Sequence, residues 1–173
     1  MAIREIVTLP DPVLRKKTRK ISDFGPELQI LVDDMVETMR QAPGVGLAAP
    51  QVGIPLQLIV VEYGEQDEDQ EIEAPRKLYT IVNPEIIRVS DEQEVGTEGC
   101  LSIPGFVGDV ERPLAITLKG VNRRGKPVRI KADGWLARIF QHEVDHLNGV
   151  LFIDRADKVW KVEEQTGQVL PAD

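Results

Sequence analysis

Apolar residues recur at helical spacing in the first quarter of the chain. Between Ser22 and Pro43 the apolar positions follow one another at intervals of three and four residues: Leu28, Leu31, Val32, Met35, Val36 and Met39. This spacing places all of them on one face of an α-helix. Pro26 suits the first helical position, and Pro43 followed by Gly44 ends a helix. The pattern therefore predicts a helix that leads directly into a loop at residues 44–51.

A second helix is predicted near the end of the chain, from an N-cap at Asp133 through Trp135 to Asn148. Gly149 follows as a left-handed stop. One stripe of this helix is apolar and is expected to face the core: Leu136, Phe140, Val144, Leu147 and Leu151. The adjacent stripe carries ionisable groups at helical spacing: Ile139, His142, Glu143 and His146. This second stripe is the more informative one, because a purely structural helix does not need it.

β-rich apolar runs occupy residues 56–61, 78–82 and 86–89. Two further runs, at 115–118 and 128–130, flank a turn that contains Gly125 and predict a hairpin. Residues 62–73 are acidic with few apolar side chains, which predicts a loop or a long hairpin tip. Together with the two helices, these runs predict an α+β fold whose helices pack on mostly antiparallel sheet.

Length and charge narrow the classes of protein to consider. A chain of 173 residues with 42% hydrophobic residues predicts a single domain over residues 1–173. The net charge of −8 argues against nucleic acid or an anionic membrane as a direct partner. No apolar run approaches the about 20 residues that span a bilayer. The N-terminus does not resemble a secretory signal, so we expect a cytoplasmic protein.

Residues 142–146 form a His-Glu-x-x-His motif that contains both histidines of the chain. Residues four apart lie one turn apart on a helix, so both imidazoles can reach one metal ion at about 2.0–2.1 Å. Glu143 would then lie beside the ion without being forced to ligate it. Two histidines without a metal role, at the surface or in the core, are the structural alternative.

A catalytic divalent ion also needs a third protein ligand, and it keeps one position open. Proteases with three histidine ligands are excluded, because the chain has two histidines. Glu163 or Glu164 would be the third ligand if the protein were a zinc endopeptidase. Cys100 is the other candidate: as a single cysteine it forms no internal disulfide, and a metal would ionise its thiol. There are two alternatives to a catalytic metal ligand. Cys100 serves only as a small buried residue, which is the commoner fate of a lone cysteine, or the metal site is purely structural.

Three segments resemble the signature motifs of the peptide deformylases, in the order and approximate separation found in that family. They are GVGLAAPQ at residues 44–51, EGCLS at 98–102 and HEVDHLNG at 142–149. The opening PDPVLR at residues 10–15 is also similar, so the resemblance covers nearly the whole chain. It implies a bacterial-type hydrolase that removes the formyl group from formylmethionyl peptides of newly made proteins. We therefore expect mostly antiparallel sheets packed around a central helix that carries the His-Glu-x-x-His motif.

The resemblance also implies roles for particular residues. Cys100, His142 and His146 would bind one divalent metal ion, usually Fe2+, which Zn2+, Ni2+ or Co2+ can replace. Glu143 would act as general base and then as general acid. The Gln51 side-chain amide and the Leu101 backbone N–H would stabilise negative charge on the formyl oxygen.

Substrate contacts are expected from an extended-peptide binding mode and an apolar slot for methionine. Gly46 is expected to allow close approach of the peptide backbone. Val45, Trp135 and Ile139 are expected to line the slot. Arg138 is either part of this region or a solvated helix residue, and Glu98 is expected to orient Gln51 or to pair with Arg112. The resemblance implies a nascent formylmethionyl polypeptide as the partner and allows a transient contact with the ribosome.

Overall fold

The computed structural model describes residues 2–64 and 75–162, which form an α+β fold. The predicted acidic loop falls largely on residues 65–74, and Glu163 and Glu164 fall in 163–173, so both lie outside the described residues. The first predicted helix is α1, Pro26–Gln41, which begins at the expected proline. The second is α2, Gly134–Leu147. A one-turn helix, α3, spans Phe152–Arg155, and 3₁₀ turns span Pro12–Arg15 and Ala49–Val52.

The strands form two sheets in which all neighbours are antiparallel. The first sheet has the order β1-β2-β3-β6-β7, with β1 at Gly46–Ala48, β2 at Leu58–Tyr63, β3 at Lys77–Val89, β6 at Ala115–Val121 and β7 at Pro127–Asp133. The second has the order β4-β5-β8, with β4 at Gln93–Cys100, β5 at Ile103–Pro113 and β8 at Lys158–Lys161. The predicted hairpin is confirmed as β6-β7.

Two predicted runs, 78–82 and 86–89, belong to one strand rather than two. The register of β3 shifts near Asn83, which adopts a left-handed conformation with φ of 53°. The Asn83 side chain compensates by bonding both the N–H and the carbonyl of Ile21. The local irregularity therefore interrupts the apolar pattern without ending the strand.

The two helices cover opposite faces of the first sheet. Helix α1 packs with Leu47, Leu58 and Val60, whereas α2 packs with Ile59, Val61 and Leu118. The alternation of side chains along a strand allows one sheet to serve both cores. Within the described residues, no helix is both long enough and apolar enough to cross a membrane.

Helix α2 differs from its prediction in which residues it buries. Leu136 and Val144, predicted to face the core, are only half-buried, while Arg138, Glu143 and His146 are buried. Asp133 occupies the N-cap position, but its side chain makes no capping hydrogen bond. Gly149 has the predicted left-handed conformation, with φ of 73°. The helix is enclosed on its ionisable face as well as its apolar one, which places the motif in the interior.

Candidate metal centre

The structure brings Cys100, His142 and His146 together. Cys100 is the last residue of β4, and both histidines lie on α2. Their potential ligand atoms all lie within 4.8 Å of one another. Cys100 Sγ is 3.4 Å from His146 Nε2, and the two imidazole centroids are 5.1 Å apart. A thiol and two imidazoles thus converge from two separate elements.

The chemistry of these donors fits a divalent metal ion. Thiolate and imidazole together suit Zn2+ or Fe2+, and three protein ligands are the number typical of a catalytic site with an open position. Two buried polar atoms of the described chain have no hydrogen-bond partner, Glu143 Oε1 and His146 Nδ1. Buried side-chain polar atoms without partners are uncommon in native proteins, and a catalytic role or a bound ion is among the explanations for them. Both belong to the His-Glu-x-x-His motif.

Glu98 orients one of the imidazoles. Its Oε1 lies 2.9 Å from His142 Nδ1, and an ionised carboxylate can only accept, so Nδ1 carries the hydrogen. Nε2 of His142 is then the nitrogen left to bind a metal ion, once it has lost its own proton. Burial would raise the pKa of Glu98, but hydrogen bonds from Arg112 and His142 outweigh burial and hold that pKa far below its usual range. Glu98 is therefore a fixed anion.

Arg112 pairs with Glu98 through two hydrogen bonds, of 2.6 and 2.9 Å. It also donates to Asp145, which in turn accepts two bonds from Arg155. Of the two partners expected for Glu98, Arg112 is the observed one. The carboxylate does not orient Gln51, because its two oxygens are taken by His142 and by arginines.

The surroundings of the two histidines shift their pKa values in opposite directions. Burial lowers the pKa of His146, and the neighbouring His142 and Arg112 lower it further. Burial also acts to lower the pKa of His142, but Cys100, Glu98 and Glu143 reverse the effect and raise it. His146 is therefore available as a neutral ligand, while metal binding at His142 must displace a proton.

Glu143 is buried, with 4% of its surface exposed, beside the strand β1. Burial raises the pKa of its carboxyl to about 7. A Cβ atom built on Gly46 would lie only 2.6 Å from Glu143 Oε2. The missing side chain of Gly46 therefore leaves the space that the Glu143 carboxylate occupies. The sequence alone did not reveal this requirement for glycine at position 46.

Gln51 is held rigidly next to Cys100. Its Nε2 donates to Cys100 Sγ at 3.5 Å and to Ser102 Oγ at 3.2 Å, while its Oε1 accepts from the Ala48 N–H. These contacts fix which end of the amide faces the sulfur. Leu101 follows Cys100 directly, in the turn between β4 and β5. The two candidate donors thus flank the same cysteine.

The residues expected to line a methionine slot are only partly grouped. Ile139 is buried in the core under α2, and Val45 packs against the same core. Gly46 lies next to Val45 in the chain, against Glu143. Trp135 is placed differently: Arg138 stacks over its ring at 5.3 Å. Of the two alternatives for Arg138, the solvated helix residue is wrong, because this side chain is buried.

Comparison with known proteins identifies the family. The polypeptide deformylase family model matches residues 3–162. The chain belongs to this family. A peptide deformylase of Natranaerobius thermophilus is 46% identical over 95% of this chain and 99% of its own length.

Two solved deformylase structures are similar over most of their length. The crystal structure of a peptide deformylase from Legionella pneumophila shares 43% identity, with a TM-score of 0.79, and the match covers 90% of this chain and 87% of the other. The Ehrlichia chaffeensis peptide deformylase in complex with actinonin shares 40% identity, with a TM-score of 0.83 and 91% coverage of both chains. As a member of the deformylase family, the protein is a hydrolase.

Sequence reasoning missed several residues around the candidate metal centre. Ser102 contacts Gln51, and Asp145 and Arg155 extend the ion-pair network that begins at Glu98. The sequence contains only a weak signal for these residues. Asp145 lies inside the His-Glu-x-x-His motif, but its position there does not indicate an ion-pair partner on β5. Long-range ion pairs of this kind become visible only when the strands are placed.

Proposed function

We propose that this protein removes the N-terminal formyl group from formylmethionyl peptides of newly made proteins and releases formate. The observation that supports this most directly is the convergence of Cys100, His142 and His146 within 4.8 Å beside the buried Glu143. Membership of the deformylase family selects deformylation among the hydrolyses that such a centre can perform. The alternative, an endopeptidase of the His-Glu-x-x-His type, is not favoured by any of these relationships.

We assign the metal to Cys100, His142 and His146, with α2 as the central helix that carries the motif between the sheets. Fe2+ is the proposed ion, and Zn2+, Ni2+ or Co2+ are proposed as replacements, since the donor set suits each of them. When bound, a divalent ion supplies Lewis-acid activation of water and of the formyl carbonyl. The assignment treats residues 1–173 as one catalytic domain.

Glu143 is the proposed general base and acid. Its buried carboxyl, with a pKa raised to about 7, is suited to exchange protons near neutral pH. It takes the proton from the attacking water, whose oxygen adds to the formyl carbon. It then returns the proton to the departing amine, so one carboxylate serves both steps. The unpartnered Oε1 is consistent with a group that binds solvent and substrate in turn.

Gln51 and Leu101 are the proposed donors to the formyl oxygen as negative charge develops on it. Removing one well-placed donor of this kind typically costs about 3–4 kcal/mol of transition-state stabilisation. The contact of Gln51 Nε2 with Cys100 Sγ supports the role, because it keeps the donor end of the amide next to the centre. The Leu101 N–H is fixed by its position directly after Cys100.

Substrate binding is assigned to Val45, Gly46, Trp135 and Ile139. The backbone of Gly46 can pair with an extended peptide, and Val45 and Ile139 provide apolar surface for the methionine side chain. Trp135 contributes its ring at the first turn of α2. The proposed partner is the nascent formylmethionyl polypeptide in the cytoplasm, with a transient ribosome contact during protein biosynthesis.

Formate release from formyl-Met-Ala-Ser tests this function. Full-length protein, purified anaerobically and loaded with Fe2+, should release formate from this tripeptide and leave an unformylated internal peptide uncleaved. The reverse selectivity would identify an endopeptidase and overturn the proposal. Metal analysis of the same sample shows whether one ion per chain accompanies the activity.

A further inference from the structure

Arg138 is a buried cation that the proposed mechanism does not use. Only 6% of its surface is exposed, although arginine is rarely buried without a specific partner. It lies on α2 one turn before His142, and thus on the same side of the helix. Its guanidinium crosses from the helix to the second sheet, where Nη1 donates to the Val110 carbonyl at 2.9 Å and Nη2 donates to the Glu94 carbonyl at 2.7 Å.

The same guanidinium contacts the carboxylate that orients His142. Arg138 Nη1 donates to Glu98 Oε2 at 2.6 Å. The opposite oxygen, Oε1, accepts from His142 Nδ1. Two side chains of α2, four residues apart, therefore contact the two oxygens of one carboxylate on β4, to which Arg112 on β5 also donates. Since Cys100 follows Glu98 by two residues on that strand, this link also connects the strand that supplies the thiol to the helix that supplies the imidazoles.

Gly96 makes room for this arrangement. A Cβ atom built at position 96 would lie 2.7 Å from Arg138 Cζ and 2.8 Å from its Nε, which are distances that real Cβ atoms do not show. The backbone of Gly96 lies in an ordinary strand pairing with Val110 and needs no left-handed conformation. The missing side chain is therefore explained by the space that the guanidinium occupies.

We propose that Arg138 is a positioning residue of the metal centre, which fixes the Glu98 carboxylate so that His142 presents Nε2 to the ion, and that Gly96 is required to admit it. This inference rests on the proposed function and its metal ligands. A merely structural arginine would tie α2 to the strands without changing how the ion is held. The two roles differ in their effect on metal affinity.

Cobalt binding by the full-length metal-free protein distinguishes the positioning role of Arg138 from a merely structural one. Titration with Co2+, followed by the thiolate-to-cobalt absorption, gives a dissociation constant for each variant. Arg138→Met keeps most of the buried aliphatic stem but removes the guanidinium and its hydrogen-bond donors. Gly96→Ala keeps arginine at position 138 but displaces its guanidinium. Each is expected to weaken Co2+ binding about tenfold, the lower end of the effect of losing the direct partner of a ligating histidine, since Glu98 remains and Arg112 still donates to it.

The double variant tests whether Gly96 acts through Arg138. If it does, Gly96→Ala combined with Arg138→Met binds Co2+ as weakly as Arg138→Met alone, because both changes remove the same interaction. Fully additive losses would overturn the role of Gly96. The matched control is Arg40→Met, which removes a half-exposed guanidinium that makes two bonds to Glu62, outside the network around Glu98, and it should leave Co2+ affinity unchanged.

Thermal unfolding of the metal-free variants shows whether each of them folds. Wild-type Co2+ affinity in Gly96→Ala and Arg138→Met overturns the inference, whatever their stability. If Arg138→Met fails to fold, Gly96→Ala alone decides: weakened Co2+ affinity there supports the inference, and unchanged affinity overturns it. A wild-type protein that binds Co2+ but releases no formate contradicts the proposed function and leaves this inference standing.

Discussion

Glu143 occupies its position because a neighbouring residue lacks a side chain. Gly46 leaves the space that the carboxylate fills, and burial then raises the pKa of Glu143 to about 7. We expect Glu143→Gln to retain one metal ion per chain and to lose deformylation by about a hundredfold or more, since an amide cannot exchange the proton. Formate release, measured beside metal content on the same preparation, checks both parts.

The same exchange at an exposed glutamate is the control for this variant. Glu111 lies on the exposed side of β5, and Glu111→Gln should leave both formate release and metal content unchanged. Near-normal turnover by a metal-replete Glu143→Gln protein would contradict the assignment of Glu143. Loss of the metal in that variant would instead make Glu143 a ligand.

Helix α1 anchors the N-terminal segment through one buried carboxylate. Asp34 accepts hydrogen bonds from the Ala2 N–H at 2.8 Å and from Arg4 Nε at 3.0 Å. The bond from Ala2, together with Arg4, holds the pKa of Asp34 below its ordinary value of 3.8 despite burial. A carboxyl with a lowered folded-state pKa adds stability above its unfolded pKa and loses it as the pH falls through the folded value.

Asp34→Asn should therefore reduce the free energy of unfolding by about 2 kcal/mol at pH 7, the typical value of hydrogen bonds to a charged group. The loss should shrink as the pH falls below 3.8, because the unfolded-state carboxyl then takes up a proton, and it should be smallest below the lowered pKa of the folded state, where the folded carboxylate is protonated as well. Urea unfolding at pH 7 and in this acid range measures the difference. A loss of equal size at both pH values would contradict the role of the charge.

Asp33→Asn on the same helix is the control. Asp33 pairs with Arg123, but 43% of its side chain is exposed, and exposed ion pairs contribute little. We expect a change of about 0.5 kcal/mol or less at both pH values. A large effect at Asp33 would show that removing any acidic group from α1 destabilises the protein.

The elements with regular apolar periodicity could be predicted from the sequence, and the polar strands could not. Helix α1 and the hairpin β6-β7 follow the expected pattern closely, and α2 lies where it is predicted but buries ionisable residues as well as apolar ones. Strand β4 contains Glu94, Gly96 and Glu98 and lacks an apolar alternation that would predict it, because its inward residues face Arg138 and His142 instead of an apolar core. Strand β8 is short and pairs at the edge of the second sheet.

The sequence predicts the proposed metal ligands of the candidate centre but not the side-chain pairs around them. Helical spacing alone places His142 and His146 on one side of α2, and the need for a third ligand points to Cys100. The link between Gly96 and Arg138 joins positions 42 residues apart, and neither has a sequence signal. The glycine at position 46 was predicted to allow backbone approach, whereas the structure also assigns it the space for Glu143. Such pairings depend on how strands and helix are placed together.

Metal removal should destabilise the protein, because the three proposed ligands connect the second sheet to the helix that packs on the first. A ligand that binds only the folded state stabilises it by RT ln(1 + [L]/Kd), about 2.7 kcal/mol at a free concentration of 100 Kd. In a chain of this size, that corresponds to about 5–10 °C in Tm. Thermal unfolding with Zn2+, and after chelation, measures the shift under anaerobic conditions.

Cys100→Ala tests whether this stabilisation passes through the proposed ligands. The variant removes the link from β4, while both imidazoles remain on α2 and can still bind an ion weakly. Its Tm should therefore change much less on addition of Zn2+ than that of the wild type, compared at the same metal concentration. A shift as large as in the wild type would mean that Zn2+ stabilises the chain at another site, and the assignment of Cys100 as a ligand would have to be withdrawn.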